Sequence, residues 1–258
     1  MKIKSQKIIG QNGKVREYFI NEFNSNGLIE RTKYIDKKGK IEFYSKFEYD
    51  LNGNCISKKE FDANDNLTVS YEWEFDSQNR EIKSIELNSE NLIWKWHEKQ
   101  YPNDNTIIHL SKDKNGIIDH RTVENIETGM QERFDSNGKL YSKIFKEFDT
   151  NGKLINSKTQ NAKGKVTEEN KYRFIGLTEI WELYIDGEFI KTEEYQNDNN
   201  GNQIYYIRKD NKGKSLEWLK REYDEFGNQI TIENGLEINK TTHRTTIEIE
   251  YLKNNNAC

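Results

Sequence analysis

The chain has 258 residues, of which 33% are hydrophobic and 33% are charged, and its formal net charge is −4. An ordinary globular domain is about 45 to 50% apolar, so this composition argues against a thick core with two fully buried sheet faces. Charges of both signs are interspersed along the chain, and the lack of a basic stripe argues against nucleic acid as a partner.

The chain also lacks the sequence signals of membrane insertion or export. Its first residues, Met1–Lys7, contain no apolar segment of signal-peptide length, and no apolar run of about 18 residues occurs anywhere. We therefore expect a cytoplasmic protein that does not enter a membrane. Its two cysteines form neither a disulfide framework nor a metal-ligand spacing.

Four consecutive segments in the first half superimpose with a period of 26 residues, the last segment being one residue short. Turn signals recur within them at alternating steps of about 14 and 12 residues, which predicts two strands and two turns per segment. The segments are Glu17–Glu42, Phe43–Thr68, Val69–Trp94 and Lys95–Asp119.

The regular repeats span residues 17–119 and resume over 134–167 and 191–235. Residues 120–133 and 168–190 are off register. Because composition does not change and no Pro-rich or Ser-rich linker occurs, we expect a single β-repeat domain over residues 1–258. Departures from a repeat tend to lie on its binding face, so we expect the two off-register stretches to contribute to a contact surface.

The turns carry a recurring pattern that is complete in Asp50-Leu51-Asn52-Gly53. The Asp side chain at the first position can accept backbone hydrogen bonds, and Gly takes the left-handed conformation that closes a hairpin turn with a bulge. We therefore predict structural turn residues at Asp50, Gly53, Asp135, Gly138, Asp149, Gly152, Asp224 and Gly227.

Strand alternation supports the same fold. In Val69–Phe75 every odd-numbered residue is apolar or aromatic and every even-numbered residue is polar, which is typical of a strand with one solvated face. Aromatics at the seventh position of each segment, such as Phe23 and Tyr49, are expected to stack along the sheet. The sequence therefore predicts an all-β, antiparallel meander of hairpins, about 26 residues per two strands, that coils into a curved sheet or open shell.

The sequence contains no complete motif for catalysis or for binding a metal or cofactor. No zinc spacing, phosphate-binding loop or nucleophile motif occurs. The turns at Asp50 and Asp149 match the first half of a calcium-binding loop, but Lys59 and Lys158 stand where the closing acid is needed. We therefore predict no catalytic residue, no metal and no cofactor, and a protein that is not an enzyme.

At the turns the sequence resembles a known family. Tyr49–Asn54 and Tyr223–Asn228, with Phe-Asp versions at Phe75, Phe134 and Phe148, are similar to the tyrosine-aspartate (YD) repeats of bacterial rearrangement-hotspot (RHS) proteins. The resemblance covers residues 17–227 and implies a spiralling β-meander and an association with bacterial toxin systems. This chain is short, has a longer paired repeat and lacks a Pro-rich self-cleavage segment, so the resemblance does not extend to enclosing a cargo.

A second, weaker similarity is to short repeat antitoxins built from Asn-Gly-Lys hairpins. The matching segments are Gln11–Lys14, Ser136–Lys139 and Thr150–Lys153. This similarity implies a protein partner, namely a toxin.

Two function classes remain open. The first is a cytoplasmic protein-binding protein, in particular an immunity protein or antitoxin that blocks a bacterial toxin with a charged sheet surface. The second is a carbohydrate-binding or cell-surface repeat module, whose platform would consist of the aromatic residues Trp94, Trp96, Trp181 and Trp218. The sequence does not predict an oligomeric state.

Overall fold

The computed structural model describes residues 2–236 and 241–251, and every regular element in these ranges is a β-strand. Strand pairs are antiparallel throughout, so the prediction of an all-β antiparallel meander is confirmed. The twenty strands are β1 (Ile3–Gly10), β2 (Val15–Phe23), β3 (Ile29–Ile35), β4 (Ile41–Tyr49), β5 (Cys55–Asp62), β6 (Leu67–Phe75), β7 (Glu81–Asn88), β8 (Ile93–Asn103), β9 (Thr106–Lys112), β10 (Ile118–Asn125), β11 (Gln131–Phe134), β12 (Leu140–Phe148), β13 (Leu154–Asn161), β14 (Val166–Ile175), β15 (Thr178–Ile185), β16 (Glu188–Asn197), β17 (Gln203–Asp210), β18 (Ser215–Tyr223), β19 (Gln229–Leu236) and β20 (Thr241–Tyr251).

The chain divides into two compact units. The first comprises Met1–Glu98, Lys112–Ile117 and Arg244–Cys258. In it strands β1 to β8 pair consecutively, from β1 with β2 to β7 with β8. Strands β2, β4, β6 and β8 begin at residues 15, 41, 67 and 93, a constant step of 26, so the sequence repeat is also the structural repeat.

The N-terminal strand is paired along both edges. Strand β1 bonds to β2 on one side and to β20 on the other, with Ile8 opposite Ile247 and Gln6 opposite Ile249. An open meander would leave one edge of β1 unpaired. The expected open sheet or shell is therefore wrong, because a pairing between the two ends of the chain depends on distant residues that no local pattern reveals.

The second unit comprises Lys99–Ser111 and Ile118–His243. Strands β10 to β19 pair consecutively in it. The off-register stretch 168–190 contains two unusually tight turns, Gly176-Leu177 and Asp186-Gly187, each of two residues. Asp186 and Gly187 have positive φ values of 48° and 85°, as the hairpin turn expected from an Asp-Gly pair requires.

Most other turns share one geometry, shown in full at Asp50. One carboxylate oxygen of Asp50 accepts the backbone N–H groups of Asn52 and Asn54, each at 2.9 Å. The Gly53 N–H donates to the Asp50 carbonyl at 3.1 Å, and Gly53 has a φ of 86°. The first turn residue therefore fixes both the closure of the turn and the bulge beside it.

The buried interior of the described residues is small and partly polar. Ser45 and Ser70, in the middle of β4 and β6, are 1% and 2% exposed. Tyr44 is one of the few buried apolar side chains; its ring stacks on Phe61 at 5.0 Å and its hydroxyl donates to Asp65 at 2.7 Å. The cross-strand partners of these serines are larger, with Glu60 opposite Ser45 and Leu87 opposite Ser70, and such pairs contribute to the stability of a sheet.

Tyrosine at the YD-like turns has a role that phenylalanine cannot fill. The Tyr49 hydroxyl donates to the backbone carbonyl of Ile29 at 2.7 Å, and the Tyr223 hydroxyl donates to that of Gln203 at 2.8 Å. Both acceptors lie 20 residues earlier, at the first residue of β3 or β17. Each tyrosine therefore ties its own hairpin to the preceding one, in addition to any contact of its ring.

Several turn carboxylates have a lowered pKa. The side chain of Asn54 donates to Asp50 and is the largest cause of the lowered pKa there, and the backbone N–H of Arg80 is the largest cause at Asp76. The same direction holds for the pKa values of Asp62, Asp113 and Asp198. Each bond favours the ionised carboxylate.

The left-handed position of the turn gives a first prediction. Gly53→Val should lower the free energy of unfolding by about 1 to 3 kcal/mol, because a β-branched side chain is strained at positive φ. Gly53→Asn should cost clearly less, since Asn79 and Asn91 occupy the same turn position with φ of 67° and 59°. Denaturant unfolding measures both. Equal stability of the valine variant and the native chain would contradict the turn geometry.

The tyrosine tether gives a second prediction. Tyr49→Phe and Tyr223→Phe should each lower the free energy of unfolding by about 0.5 to 1.5 kcal/mol, because one hydrogen bond is lost while the ring is kept. Tyr71→Phe is the matched control, since the contacts of Tyr71 with Trp73 and Lys58 are made by the ring. Chemical denaturation compares the three variants. A control as destabilised as the two test variants would refute the tether.

The turn carboxylates give a third prediction, on acid stability. Because their pKa is lower in the folded chain than the ordinary value of 3.8, they contribute stability that is present above about pH 4 and lost as pH falls through the folded pKa. A variant with Asn at all five positions should keep its turns, as Asn24, Asn88 and Asn161 do in the native chain. Its free energy of unfolding should therefore fall less steeply below about pH 4. Parallel slopes in denaturant titrations of the two proteins would contradict this.

Candidate functional site

The turns of the second unit lie at two opposite ends of its strands, because consecutive strands are antiparallel. We call one end the apolar rim, formed by the turns at residues 126–130, 149–153, 176–177, 198–202 and 224–228. We call the other end the lysine rim, formed by the turns at residues 135–139, 161–165, 186–187 and 210–214.

The predicted turn residues are distributed over both units. Asp50 and Gly53 form a turn of the first unit. In the second unit Asp149, Gly152, Asp224 and Gly227 lie on the apolar rim, and Asp135 and Gly138 lie on the lysine rim. Each Asp accepts the N–H groups two and four residues ahead, so these side chains are engaged in forming the turns.

The apolar rim exposes large hydrophobic side chains. Their exposed fractions run from 46% to 63%, and they belong to four of the five turns or to the strand ends beside them. Turn residues of the lysine rim include no apolar side chain larger than Ala162, and beside its turns Ile185, at the end of β15, is 37% exposed. The exposed side chains of the apolar rim are Ile126, Phe148, Ile175, Leu177 and Phe226.

A cleft of about 520 Å³ opens at the middle of this rim, around the tight turn at Gly176-Leu177. Tyr172 and Phe174 of β14 line it, together with Thr178 and Glu179 of β15 and residues of the flanking turns. Lys153 lies over the Phe174 ring at 4.5 Å. The two-residue turn causes the cleft, because the neighbouring turns at 149–153 and 198–202 are longer. Sequence reasoning missed Tyr172 and Phe174; the Gly176 turn was the signal that could have located them.

The cleft continues into a sheet face rich in aromatic and acidic residues. Strand register places Tyr172 opposite Trp181, Trp181 opposite Glu193, and Glu193 opposite Arg208. Residues opposite one another in an antiparallel pair share a face. The face therefore runs from the cleft across β14, β15, β16 and β17 and reaches Glu217 of β18.

The carboxylates of this face are held by neighbouring donors. Glu193, only 6% exposed, accepts the Tyr195 hydroxyl and the Lys191 ammonium. Glu217 accepts the Tyr206 hydroxyl at 3.1 Å and the Arg208 guanidinium at 3.0 Å. These bonds satisfy both acids and fix the orientation of both phenols.

The phenol groups are also kept protonated. Burial raises the pKa of Tyr195, and the hydrogen bond to Glu193 raises it further. Burial and the negative charge of Glu193 raise the pKa of Tyr206. Burial raises the pKa of Tyr172 as well, and Glu179 adds to the effect. The arrangement therefore presents protonated aromatic hydroxyls beside acidic side chains, which suits binding through hydrogen bonds and ring contacts.

The predicted tryptophan platform is divided in the structure. Trp181 and Trp218 lie on opposite faces of the second unit, because Trp181 shares its face with Glu217. The Trp181 indole donates to Asn170 at 2.9 Å. Trp218 packs on the backbone of Gly235, where an added Cβ would lie 2.6 Å from the indole ring.

The other two tryptophans lie in β8 of the first unit. Trp94 is 66% exposed, with Lys95 over its ring at 5.5 Å. Trp96 is flanked by Lys83 at 5.5 Å and Lys112 at 4.8 Å. Its indole nitrogen is buried with no hydrogen-bond partner among the described residues. Of the four tryptophans, Trp94 is the one with a widely exposed ring.

The described ranges hold neither a metal-binding cluster nor a membrane-spanning helix. Within residues 2–236 and 241–251, no group of three or more His, Cys, Asp or Glu side chains could hold a metal ion. The described part of the chain contains no helix long and apolar enough to cross a membrane.

Comparison with known proteins shows only weak similarity. No protein-family model matches the chain, and no curated protein sequence matches it. A porin-like protein from Bacteroides uniformis aligns over 97% of this chain and 98% of its own length, with 9% identity and a TM-score of 0.43. A porin-like protein from Bacteroides vulgatus aligns over 98% and 100%, with 10% identity and a TM-score of 0.32.

A weak similarity to a toxin complex is also found. The structure of TcdB2-TccC3-Cdc42 aligns over 89% of this chain but only 21% of the matched chain, with 10% identity and a TM-score of 0.20.

Proposed function

We propose that this chain is a non-catalytic protein-binding protein, and that the apolar rim of its second unit is the contact surface. We further propose that the partner is a bacterial toxin and that the chain is its immunity protein or antitoxin, acting in the cytoplasm. We also propose that the chain is related to the RHS-type repeat proteins. The YD-like turns support both the assignment as an immunity protein and this relationship.

The observation that carries the proposal is the set of five exposed apolar side chains on one rim. Exposed hydrophobic residues scattered singly need no explanation, but a group of them at one end of a sheet is typical of an interaction surface. Ile126 comes from the off-register stretch 120–133, and Ile175 and Leu177 come from 168–190. These stretches were expected to contribute to a contact surface, and they supply three of the five.

The size of the rim is adequate for a specific complex. Turns two strands apart along a sheet are separated by about 10 Å, so five successive turns extend over about 40 Å. A standard protein interface covers about 800 Å² on each partner, roughly 30 Å across. The apolar side chains would form its centre and the polar turn atoms its edge, as interfaces are usually arranged.

The state of the polar groups supports binding more than catalysis. Glu193 and Glu217 are each engaged by a tyrosine hydroxyl and a cation. One donor on each oxygen holds either side chain in place as part of the sheet face, whereas a general base must be able to reach a proton of its substrate.

The fourth prediction tests the contact surface. The tagged chain is coexpressed with the products of its neighbouring genes, and one of them should copurify and have its toxicity suppressed. Leu177→Ser combined with Ile175→Ser should weaken that complex by about tenfold or more, since each buried aliphatic side chain contributes about 1.5 kcal/mol or more. Titration calorimetry on the purified pair measures the loss.

Ile185→Ser is the matched control. Ile185 is a strand residue of the same hairpin, 37% exposed, but it lies at the lysine rim. Its substitution should leave the affinity unchanged, and thermal melts should show all variants folded. Loss of binding in the control but not in the rim variants would disprove the assigned surface.

A carbohydrate-binding module is the second candidate, and the exposed ring of Trp94 favours it. If no neighbouring gene product binds while the isolated chain binds a glycan on an array, and Trp94→Ala abolishes that signal, this candidate should replace the first.

A further inference from the structure

The two rims of the second unit differ in charge as well as in apolar character. Turns of the apolar rim contain five acidic residues and one lysine, whereas turns of the lysine rim contain five lysines and three aspartates. The acidic residues of the apolar rim are Glu127, Asp149, Asp198, Asp224 and Glu225, and its lysine is Lys153. The lysines of the other rim are Lys139, Lys163, Lys165, Lys212 and Lys214.

The turn geometry does not require this difference. It requires Asp or Asn at the first turn position and a residue that tolerates positive φ at the fourth. The remaining positions are free, and they carry Glu127 and Glu225 on one rim and lysines on the other. At the last turn position the lysine rim has lysine in every five-residue turn, whereas the apolar rim has the neutral amides Asn202 and Asn228 in two of its turns.

The one lysine in the turns of the apolar rim leaves the net charge of those turns negative. Lys153, whose ammonium group lies over the Phe174 ring at 4.5 Å, is a single positive charge among five acidic residues. Asp198 stays ionised, since hydrogen bonds from the Asn202 side chain and nearby N–H groups lower its pKa. The rim is therefore a group of apolar side chains surrounded by negative charge.

We infer that the apolar rim docks a basic protein, one whose apolar contact residues are surrounded by lysine or arginine. The inference rests on the proposed function and names the chemistry of the partner. Opposite charge around an apolar centre raises the association rate and disfavours partners of like charge. A second copy of this chain fits less well, because its lysine rim is basic but offers only Ile185, beside one of its turns, to match the five exposed side chains.

Selection of random peptides displayed on phage, with the immobilised full chain as bait, tests the inference before the natural partner is identified. We expect the enriched peptides to combine lysine or arginine with aromatic or aliphatic residues. Raising the salt concentration from about 0.05 to 0.5 M should slow their association by about tenfold, because exposed charges are then screened within a few ångströms.

Charge reversal on the apolar rim tests whether the selected peptides bind there. Glu127→Lys combined with Glu225→Lys should weaken binding of the selected peptides by about tenfold or more. Both residues are exposed and neither occupies the first position of its turn, so the fold should be retained. Lys163→Glu combined with Lys212→Glu, on exposed positions of the lysine rim, is the matched control and should not weaken binding.

Each other outcome counts against the inference. Enriched peptides that are acidic or show no charge preference, no enrichment at all, or binding unaffected by the Glu127 and Glu225 reversals would overturn it. Sedimentation showing head-to-tail assembly that either double reversal abolishes would assign the rim to a second copy instead.

The charge preference of the apolar rim and the proposed immunity function can fail independently of one another. A neighbouring gene product that binds through Leu177 but is insensitive to salt and to charge reversal would leave the proposed function standing and overturn the inference. Basic peptides selected on this rim, with no neighbouring gene product that binds, would count against the immunity role while supporting the charge preference.

Discussion

The acceptor atom at the first position of each turn is the constraint on which this structure depends. A single oxygen of an Asp or Asn side chain binds two backbone N–H groups, as Asp50 does, and so sets the direction in which the next strand leaves. The same geometry returns with Asn24 and Asn161, where the amide oxygen takes the place of the carboxylate. Strand register follows from the turn, because the bulge beside it shifts the pairing by one residue. With the turns fixed, the strands need to supply only a modest apolar surface.

This dependence on local chemistry explains which features could be predicted from the sequence. The signal for a turn at Asp50 lies within five residues, and so does the signal for the left-handed Gly53. The Asp-Gly hairpin at 186–187 was likewise recognisable from two residues. All-β architecture, hairpin spacing and the 26-residue period therefore follow from short segments, with no contribution from distant contacts.

Other features depend on partners far away in the chain. The pairing of β1 with β20 joins residues more than 230 positions apart, and no pattern in Ile3–Gly10 points to Thr241–Tyr251. The Tyr49 hydroxyl can donate its hydrogen bond to Ile29 only once β3 lies beside it, so the residues around Tyr49 do not predict that bond. The rim chemistry was visible in principle, since alternate turns of a meander share an end. It was missed because the turns were compared for their shared Asp and Gly rather than for the residues that differ.

The pairing of the two ends of the chain also bears on the order of folding and on aggregation. The two strands of a hairpin pair residues that are 3 to 19 positions apart, and such local contacts form quickly. Joining β1 to β20 costs about 3 kcal/mol more in loop-closure entropy than closing a hairpin, by the logarithmic dependence on loop length. It should therefore be among the late steps, and until it forms β1 presents a row of unpaired N–H and C=O groups. A chain synthesised from its N-terminus carries that exposed edge until β20 has been made, so this edge is where intermolecular pairing would begin during synthesis.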